Sequence, residues 1–409
     1  MAVLVRGARV LRGDKLWQED IRIDGPGQET ELDGHGLILA PAFCDLHVHL
    51  REPGFSQKET VKSGTLAAAR GGFTTICAMP NVSPVPDGEE GLRAQLDIID
   101  RDAAVEVLPY LSITEGRAGE RPAALPDDLS RVAGLSDDGS GVQYGGVMEA
   151  AMVRACGARL MIAAHCEDDS LLVPGGCVST GCGKKYGLPS ISNESEWKQI
   201  ERDIALVERT GCRYHVCHIS TAQSVELVRR AKERGLPVTC EVTPHHLFFS
   251  EQDIDCDDGK YKMNPPLRSI EDREALIAGV CNGSIDCIAT DHAPHTAEEK
   301  SRGLYGSAMG IVGLETAFAA ARTALGDKIG PERLLALLGD KPRAILRRPA
   351  DPGDWTLVDW DAEWRVDPDS FATKGRSTPF AGRTLRGRVI ATIRGGQVIY
   401  MNSNGLIRK

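Results

Sequence analysis

Two histidines separated by one residue, His47 and His49, stand in the run D-L-H-V-H-L-R-E-P-G, with Arg51 two positions further on. In an extended chain side chains alternate, so these three share one face while Val48 and Leu50 point the other way. Imidazole nitrogens and carboxylate oxygens are good ligands for zinc, and more of them recur downstream: Ser136-Asp137-Asp138-Gly139, His165, His218, and Asp291 in T-D-H-A-P-H. Asn81 ends another apolar run. A lone histidine of this kind is ordinarily a hydrogen-bonded filler, but five strand ends that together supply ligand-type groups point to a metal site. Consecutive residues diverge, so spacing does not choose between Asp137 and Asp138. Of the remaining histidines, His215 is expected to be structural and His35 to lie at the surface. His245 and His246 follow a strand in T-P-H-H, in either a supporting or a direct role. His292 is placed to orient Asp291, and His295 to reach a ligand.

Such groups converge only if the elements carrying them end at one place. Eight β-branched or apolar runs alternate with helical patterns, at Phe43 to Leu50, Phe73 to Met79, Val105 to Ser112, Arg131 to Ser136, Arg159 to His165, Cys212 to His218, Pro237 to Val242 and Ser284 to Thr290. This is the pattern of a parallel sheet with crossover helices, and eight units over about 300 residues suit a closed (β/α)8, TIM-like barrel, whose chemistry sits at the carboxyl ends of its strands. Ser269 with Asp272 marks a helix start that Gly283 closes. Gly211 and Gly235 follow helices over Glu194 to Thr210 and Ala222 to Arg234, and Lys58 to Arg70 ends at Gly71-Gly72. Short, turn-separated strands at both termini predict a small composite β domain, residues 1–42 plus 346–409, around a catalytic barrel of residues 43–345.

Composition narrows the partners. With 48 Lys and Arg against 58 Asp and Glu, a net charge of -10 argues against a broad surface for nucleic acid or anionic lipid and leaves a small polar substrate. No apolar run approaches the roughly 20 residues that span a bilayer, and Arg6, Arg9 and Arg12 interrupt the amino terminus, so a cytoplasmic protein is expected. The 12 cysteines are scattered, often beside apolar strand residues, and include no C-x-x-C pair. Buried reduced thiols are the expectation, and for Cys177 and Cys182, in a Gly-rich stretch, the sequence leaves the redox state open.

Together D-L-H-V-H-L-R-E-P-G, G-G-F-T-T-I-C-A-M-P-N, S-D-D-G, A-H-C-E-D, H-V-C-H-I-S-T, E-V-T-P-H-H-L, Y-K-M-N-P-P-L-R and I-A-T-D-H-A-P-H resemble the dihydroorotases of the amidohydrolase superfamily, in their longer bacterial type. The match runs in order from about Gly36 to Glu315. The resemblance implies reversible, zinc-dependent hydrolysis of dihydroorotate to N-carbamoyl-aspartate in pyrimidine biosynthesis. It makes His47 and His49 ligands of one zinc, His165 and His218 ligands of a second, and Asp138 the carboxylate they share. Asp291 would contact the first zinc and act as general base. Arg51, Asn81 and His295 resemble residues that grip the substrate carboxylate, Asn264 one that contacts the ring, and the segment after His295 a loop that closes over substrate. His49, Met309 and Gly310 would complete the binding surface. Many members carry an aromatic residue where this chain has Met309.

Related cyclic amidases, the hydantoinases, dihydropyrimidinases and allantoinases, bridge their metals with a carboxylated lysine from the fourth strand. No lysine occurs here between Lys62 and Lys184, so an aspartate must bridge. Arg51 likewise suits an anionic substrate better than a neutral hydantoin, the alternative being an ion pair with Glu52 or another acid. A non-catalytic assembly partner of aspartate carbamoyltransferase is the reading from another class, and such relatives usually lose the metal histidines that this chain keeps. Homodimerisation and partnership with that transferase are compatible with the resemblance, and nothing in the residues selects between them.

Overall fold

The computed structural model describes residues 2–26 and 29–402. Four strands open the chain: β1 (Ala2–Arg12), β2 (Lys15–Asp24), β3 (Thr30–Asp33) and β4 (Ile38–Pro41). The barrel strands follow as β5 (Phe43–Val48), β6 (Phe73–Ala78), β7 (Glu106–Leu111), β8 (Gly134–Leu135) and β9 (Met161–Ala164). A two-stranded pair, β10 (Val178–Ser179) and β11 (Ser190–Ile191), precedes β12 (Arg213–Val216), β13 (Val238–Val242) and β14 (Cys287–Ile288). The chain ends in β15 (Trp355–Arg365), β16 (Thr384–Arg394) and β17 (Gln397–Met401).

All eight expected strands form one parallel sheet in the order β14-β13-β12-β9-β8-β7-β6-β5. The seam between the first and last is closed by a bridge from Val48 to His292 and by the Thr290 amide, which donates to Asp45 Oδ1 at 3.1 Å. These strands are buried on both sides, which explains why they read as continuous apolar runs rather than alternating ones. The terminal strands form a second sheet, β17-β16-β15-β4-β1-β2 with β3 on β1, so both ends of the chain share it. It is tied to the barrel where Thr356 donates to the Gly72 carbonyl at 2.6 Å and Thr392 to that of Ala69 at 2.7 Å.

Helix punctuation follows local chemistry. Ser192, Thr221 and Ser269 cap their helices through side-chain oxygens, and Gly211 and Gly283 end theirs in the left-handed region at φ of 67° and 89°. The helix expected from Lys58 starts at Val61, because Thr60 accepts the Ser63 amide and forms a capping box with it. Among the described residues no helix is long and apolar enough to cross a membrane. Cys177 and Cys182, whose state the sequence leaves open, are each 1% exposed: β10 and the helix Thr180–Tyr186 fold them into a core with Phe249 and Leu267.

Candidate metal centre

Each ligand candidate lies at, or up to three residues beyond, the carboxyl end of a barrel strand. His47 is the penultimate residue of β5 and His49 the first beyond it; Asp138, His165, His218 and Asp291 follow β8, β9, β12 and β14. His49 Nε2 lies 3.1 Å from Asp291 Oδ1, and His47 Nε2 lies 3.5 Å from the same oxygen. On the other side His165 Nδ1 and His218 Nε2 face each other at 3.2 Å. Asp138 stands between the two groups, with Oδ1 at 3.3 Å from His47 and 3.5 Å from His218, and Oδ2 at 3.5 Å from His49. Asp137 turns away and accepts from the Ile113 and Thr114 amides at 2.8 and 3.2 Å. The geometry therefore selects Asp138 from the pair.

These separations test whether the group fits a metal. Ligands about 2.0 to 2.1 Å from a tetrahedral ion lie about 3.3 Å apart, close to the spacings here. His47 Nε2 and Asp138 Oδ1 are buried without any hydrogen-bond partner, a costly arrangement unless something else satisfies them. Burial disfavours charge on His47, yet Asp138 holds its pKa well above the ordinary value, so the field at this point favours a cation. Asp291 sits well below the ordinary carboxylate range: its bond to His49 and the charge of His47 outweigh its burial.

The far nitrogens of these rings are held by groups that the sequence left unassigned. His47 donates through Nδ1 to Glu241 Oε1 at 3.0 Å, and His49 through Nδ1 to Asn81 Oδ1 at 2.9 Å, which leaves each Nε2 lone pair facing the centre. Glu241 also accepts a hydrogen bond from His215 Nε2 at 3.0 Å, while His215 Nδ1 meets Thr239 Oγ1 at 2.8 Å. Burial raises the pKa of Glu241, but bonds from His215 and His47 hold it down to about 2. A charged residue inside the apolar run V-T-C-E-V was the available signal. Because Glu241 fixes the tautomer of His47, Glu241→Gln is expected to weaken metal affinity roughly 10- to 100-fold, measured by chelator competition; unchanged affinity would remove it from this role.

Above the cluster lies a cavity of about 200 Å³, lined by His49, Arg51, Asn81, Asp138, His165, His218, Asn264, Asp291, His295, Met309 and Gly310. His47 lies beneath this lining and is fully buried. Arg51 is 9% exposed and, among the described residues, has no carboxylate within ion-pair distance. Its Nε donates to the Pro294 carbonyl at 3.2 Å, and Glu52 accepts from the Val61 amide instead of pairing with it. Burial lowers the guanidinium pKa to about 10, which still leaves it charged at neutral pH. His295 donates through Nε2 to the Met309 carbonyl at 2.7 Å and accepts from Lys58 Nζ at 3.3 Å. Burial, Arg51 and Lys58 push its pKa down to about 3, so it is neutral. Gly310 has φ of 130°, and a side chain there would sit 2.6 Å from the Ala293 carbonyl.

Arg51, His218 and Asp291 take positive φ values of 61°, 31° and 47°, conformations that cost non-glycine residues energy and gather at functional sites. Asn264 Nδ2 donates to Glu167 Oε2 at 3.1 Å while reaching within 3.5 Å of His165 Nε2. The expectation that the His292 ring orients Asp291 is corrected. The ring instead accepts the Gly313 amide at 3.1 Å and meets Thr373 Oγ1 at 3.3 Å, and only its backbone carbonyl, bound by the His49 amide at 2.8 Å, serves the site. His246 donates to the Pro265 carbonyl beside Asn264, a supporting role, and His245 is buried next to it. The His35 side chain is 69% exposed, and His215 is structural, as expected.

The model of a family described as dihydro-orotase-like matches residues 36–224. A dihydroorotase of Anoxybacillus flavithermus is 44% identical over 99% of this chain and 100% of its own length. One from Geobacillus thermodenitrificans is 48% identical over 91% and 89%. Among solved structures, the L-hydantoinase (dihydropyrimidinase) of Arthrobacter aurescens superposes with a TM-score of 0.84 at 22% identity, covering 100% of this chain and 98% of that one. This last likeness is one of fold.

Proposed function

The chain belongs to the dihydroorotase family, and from that premise we propose that the cavity binds dihydroorotate through Arg51 and opens its ring amide over the cluster of four histidines and two carboxylates. The reaction is the reversible hydrolysis of dihydroorotate to N-carbamoyl-aspartate. The observation that carries the site assignment is a buried cation, Arg51, that has no carboxylate within ion-pair distance among the described residues and lines the same cavity as the ligand cluster. A carboxylate on the substrate ring completes that pair.

Two zinc ions are proposed, one held by His47, His49 and Asp291, the other by His165 and His218, whose rings face each other at 3.2 Å, with Asp138 shared. When bound they supply Lewis acidity, which lowers the pKa of a nearby water toward neutrality and polarises the amide carbonyl. The chain's own groups do the rest. Asp291, ionised and 3.1 Å from His49, accepts the proton of the attacking water and delivers it to the departing ring nitrogen. Arg51, with the Asn81 amide nitrogen beside it, grips the substrate carboxylate and turns the ring so that its carbonyl faces Asp291, and His295 joins them by exchanging its bond to the Met309 carbonyl for one to the substrate. Asn264 contacts the ring, and Met309 and Gly310 wall the cavity. Asn81 does double duty, since its Oδ1 is taken by His49 and only its amide nitrogen is free for substrate. The buried thiols support a reducing, cytoplasmic setting.

The test is turnover of dihydroorotate and of hydantoin side by side, with zinc measured in the same sample. Dihydroorotate turnover with zinc present and hydantoin left intact is the expected result; preference for hydantoin would overturn the reading. Arg51→Ala removes charge-assisted bonds worth about 1.5 to 3 kcal/mol, so KM for dihydroorotate should rise roughly 10- to 100-fold. An unchanged KM would take Arg51 out of substrate binding.

A further inference from the structure

At the opposite, amino-terminal end of the barrel, a second cavity of about 470 Å³ opens between β12, β13 and the helix Asp340–Leu346. This volume falls in the range of small-molecule sites. Three cations line it: Arg213, Lys341 and Arg347. Elsewhere on the surface basic side chains are commonly paired, as in Arg209 with Glu149 or Arg229 with Glu226 and Glu233. None of these three has an acidic partner among the described residues. The carboxylate that does line the cavity, Asp286, is already engaged by Lys232 Nζ at 2.5 Å and by the Cys240 amide at 2.8 Å. Arg213 donates only to the Ile345 carbonyl, and the nearby Arg347 adds to the effect of burial in lowering its pKa, so two like charges share the cavity. Leu236, Pro237 and Ile345 give it an apolar wall.

Like charges gathered around a concave space without a counter-ion suit a multiply charged anion, and the apolar wall suits a flat ring attached to it. We propose that this cavity, far from the metal cluster along the barrel axis, binds an organic polyphosphate of nucleoside triphosphate type, with Arg213, Lys341 and Arg347 on the phosphates and Leu236, Pro237 and Ile345 against the base. The proposal does not depend on the catalytic reading, since it uses none of the same residues.

The zinc-loaded enzyme, its catalytic cavity saturated with N-carbamoyl-aspartate, would be titrated calorimetrically with ATP, UTP, tripolyphosphate and poly-glutamate, with zinc content checked afterwards. The expected result is saturable binding of a nucleoside triphosphate at millimolar concentration or below, tighter than tripolyphosphate and weakened by added salt. In the double variant Lys341→Gln, Arg347→Gln, both exposed positions, affinity should fall at least about tenfold while dihydroorotate turnover stays unchanged. Absence of saturable binding up to about 5 mM, or equal binding by the variant, would overturn the site. Equal binding of tripolyphosphate would overturn the role of the apolar wall. Tighter binding of poly-glutamate would overturn the small-molecule assignment in favour of an acidic macromolecular partner.

Discussion

Asp291→Asn should lower turnover about a thousandfold or more in both directions while much of the zinc stays bound. The two halves of this expectation have different causes. An amide keeps one oxygen at the position 3.1 Å from His49 Nε2 and 3.5 Å from His47 Nε2, so a donor to the metal cluster survives. It cannot accept a proton, and the same group must serve hydrolysis and ring closure because both pass through one transition state. The variant is expected to keep the fold: Asp291 has φ of 47°, and asparagine tolerates that region at least as well as aspartate. The segment is also pinned independently, since Asp45 accepts from the Thr290 amide and the His49 amide donates to His292. Near-normal turnover in the variant would remove Asp291 from proton transfer; loss of all zinc would show that it acts chiefly as a ligand.

Much of the site was legible because barrel enzymes separate what folds from what reacts. The strands announce themselves as apolar runs, and whatever polar group ends such a run is exposed to the barrel mouth. Even β8 and β14, which hold only two ladder residues each, were recoverable from the longer runs around them. Spacing could not tell Asp138, which the family resemblance named, from Asp137, because that choice is made by the turn after β8, where Asp137 is drawn off by the Ile113 and Thr114 amides. Glu241 escaped because its partners, His47 and His215, are 194 and 26 residues away in sequence. The role expected of His292 failed for the opposite reason. Adjacency to Asp291 suggested a pair, but neighbouring side chains diverge, and the ring is claimed by Gly313 and Thr373. The state of Cys177 and Cys182, left open by Gly-rich flanks, is likewise settled by tertiary packing, against Phe249 and Leu267.

That division of labour between neighbours makes Asp138→Ala the sharper of two adjacent substitutions. The Asp138 side chain serves the cluster alone: Oδ1 faces His47 and His218, Oδ2 faces His49, and neither oxygen holds the backbone. Its own amide is bound by Ser136 Oγ at 3.1 Å and its carbonyl by Arg117, so the turn keeps its shape without the carboxylate. The two dications proposed for this cluster would need anionic charge between them, and with Asp138 gone Asp291 is the one carboxylate left among the proposed ligands. Zinc content is therefore expected to drop from two per chain to one or fewer, with turnover down about a thousandfold or more. Asp137→Ala should behave differently. It strips the acceptor from two buried amides and a hydroxyl, so it should cost about 1 to 3 kcal/mol of stability for each donor left unsatisfied, read from denaturant unfolding. Zinc content close to that of the parent in the Asp137 variant, set against its loss in the Asp138 variant, would separate the carboxylate that builds the turn from the one that bridges. Two zinc ions and normal turnover in Asp138→Ala would show that the cluster needs no shared carboxylate.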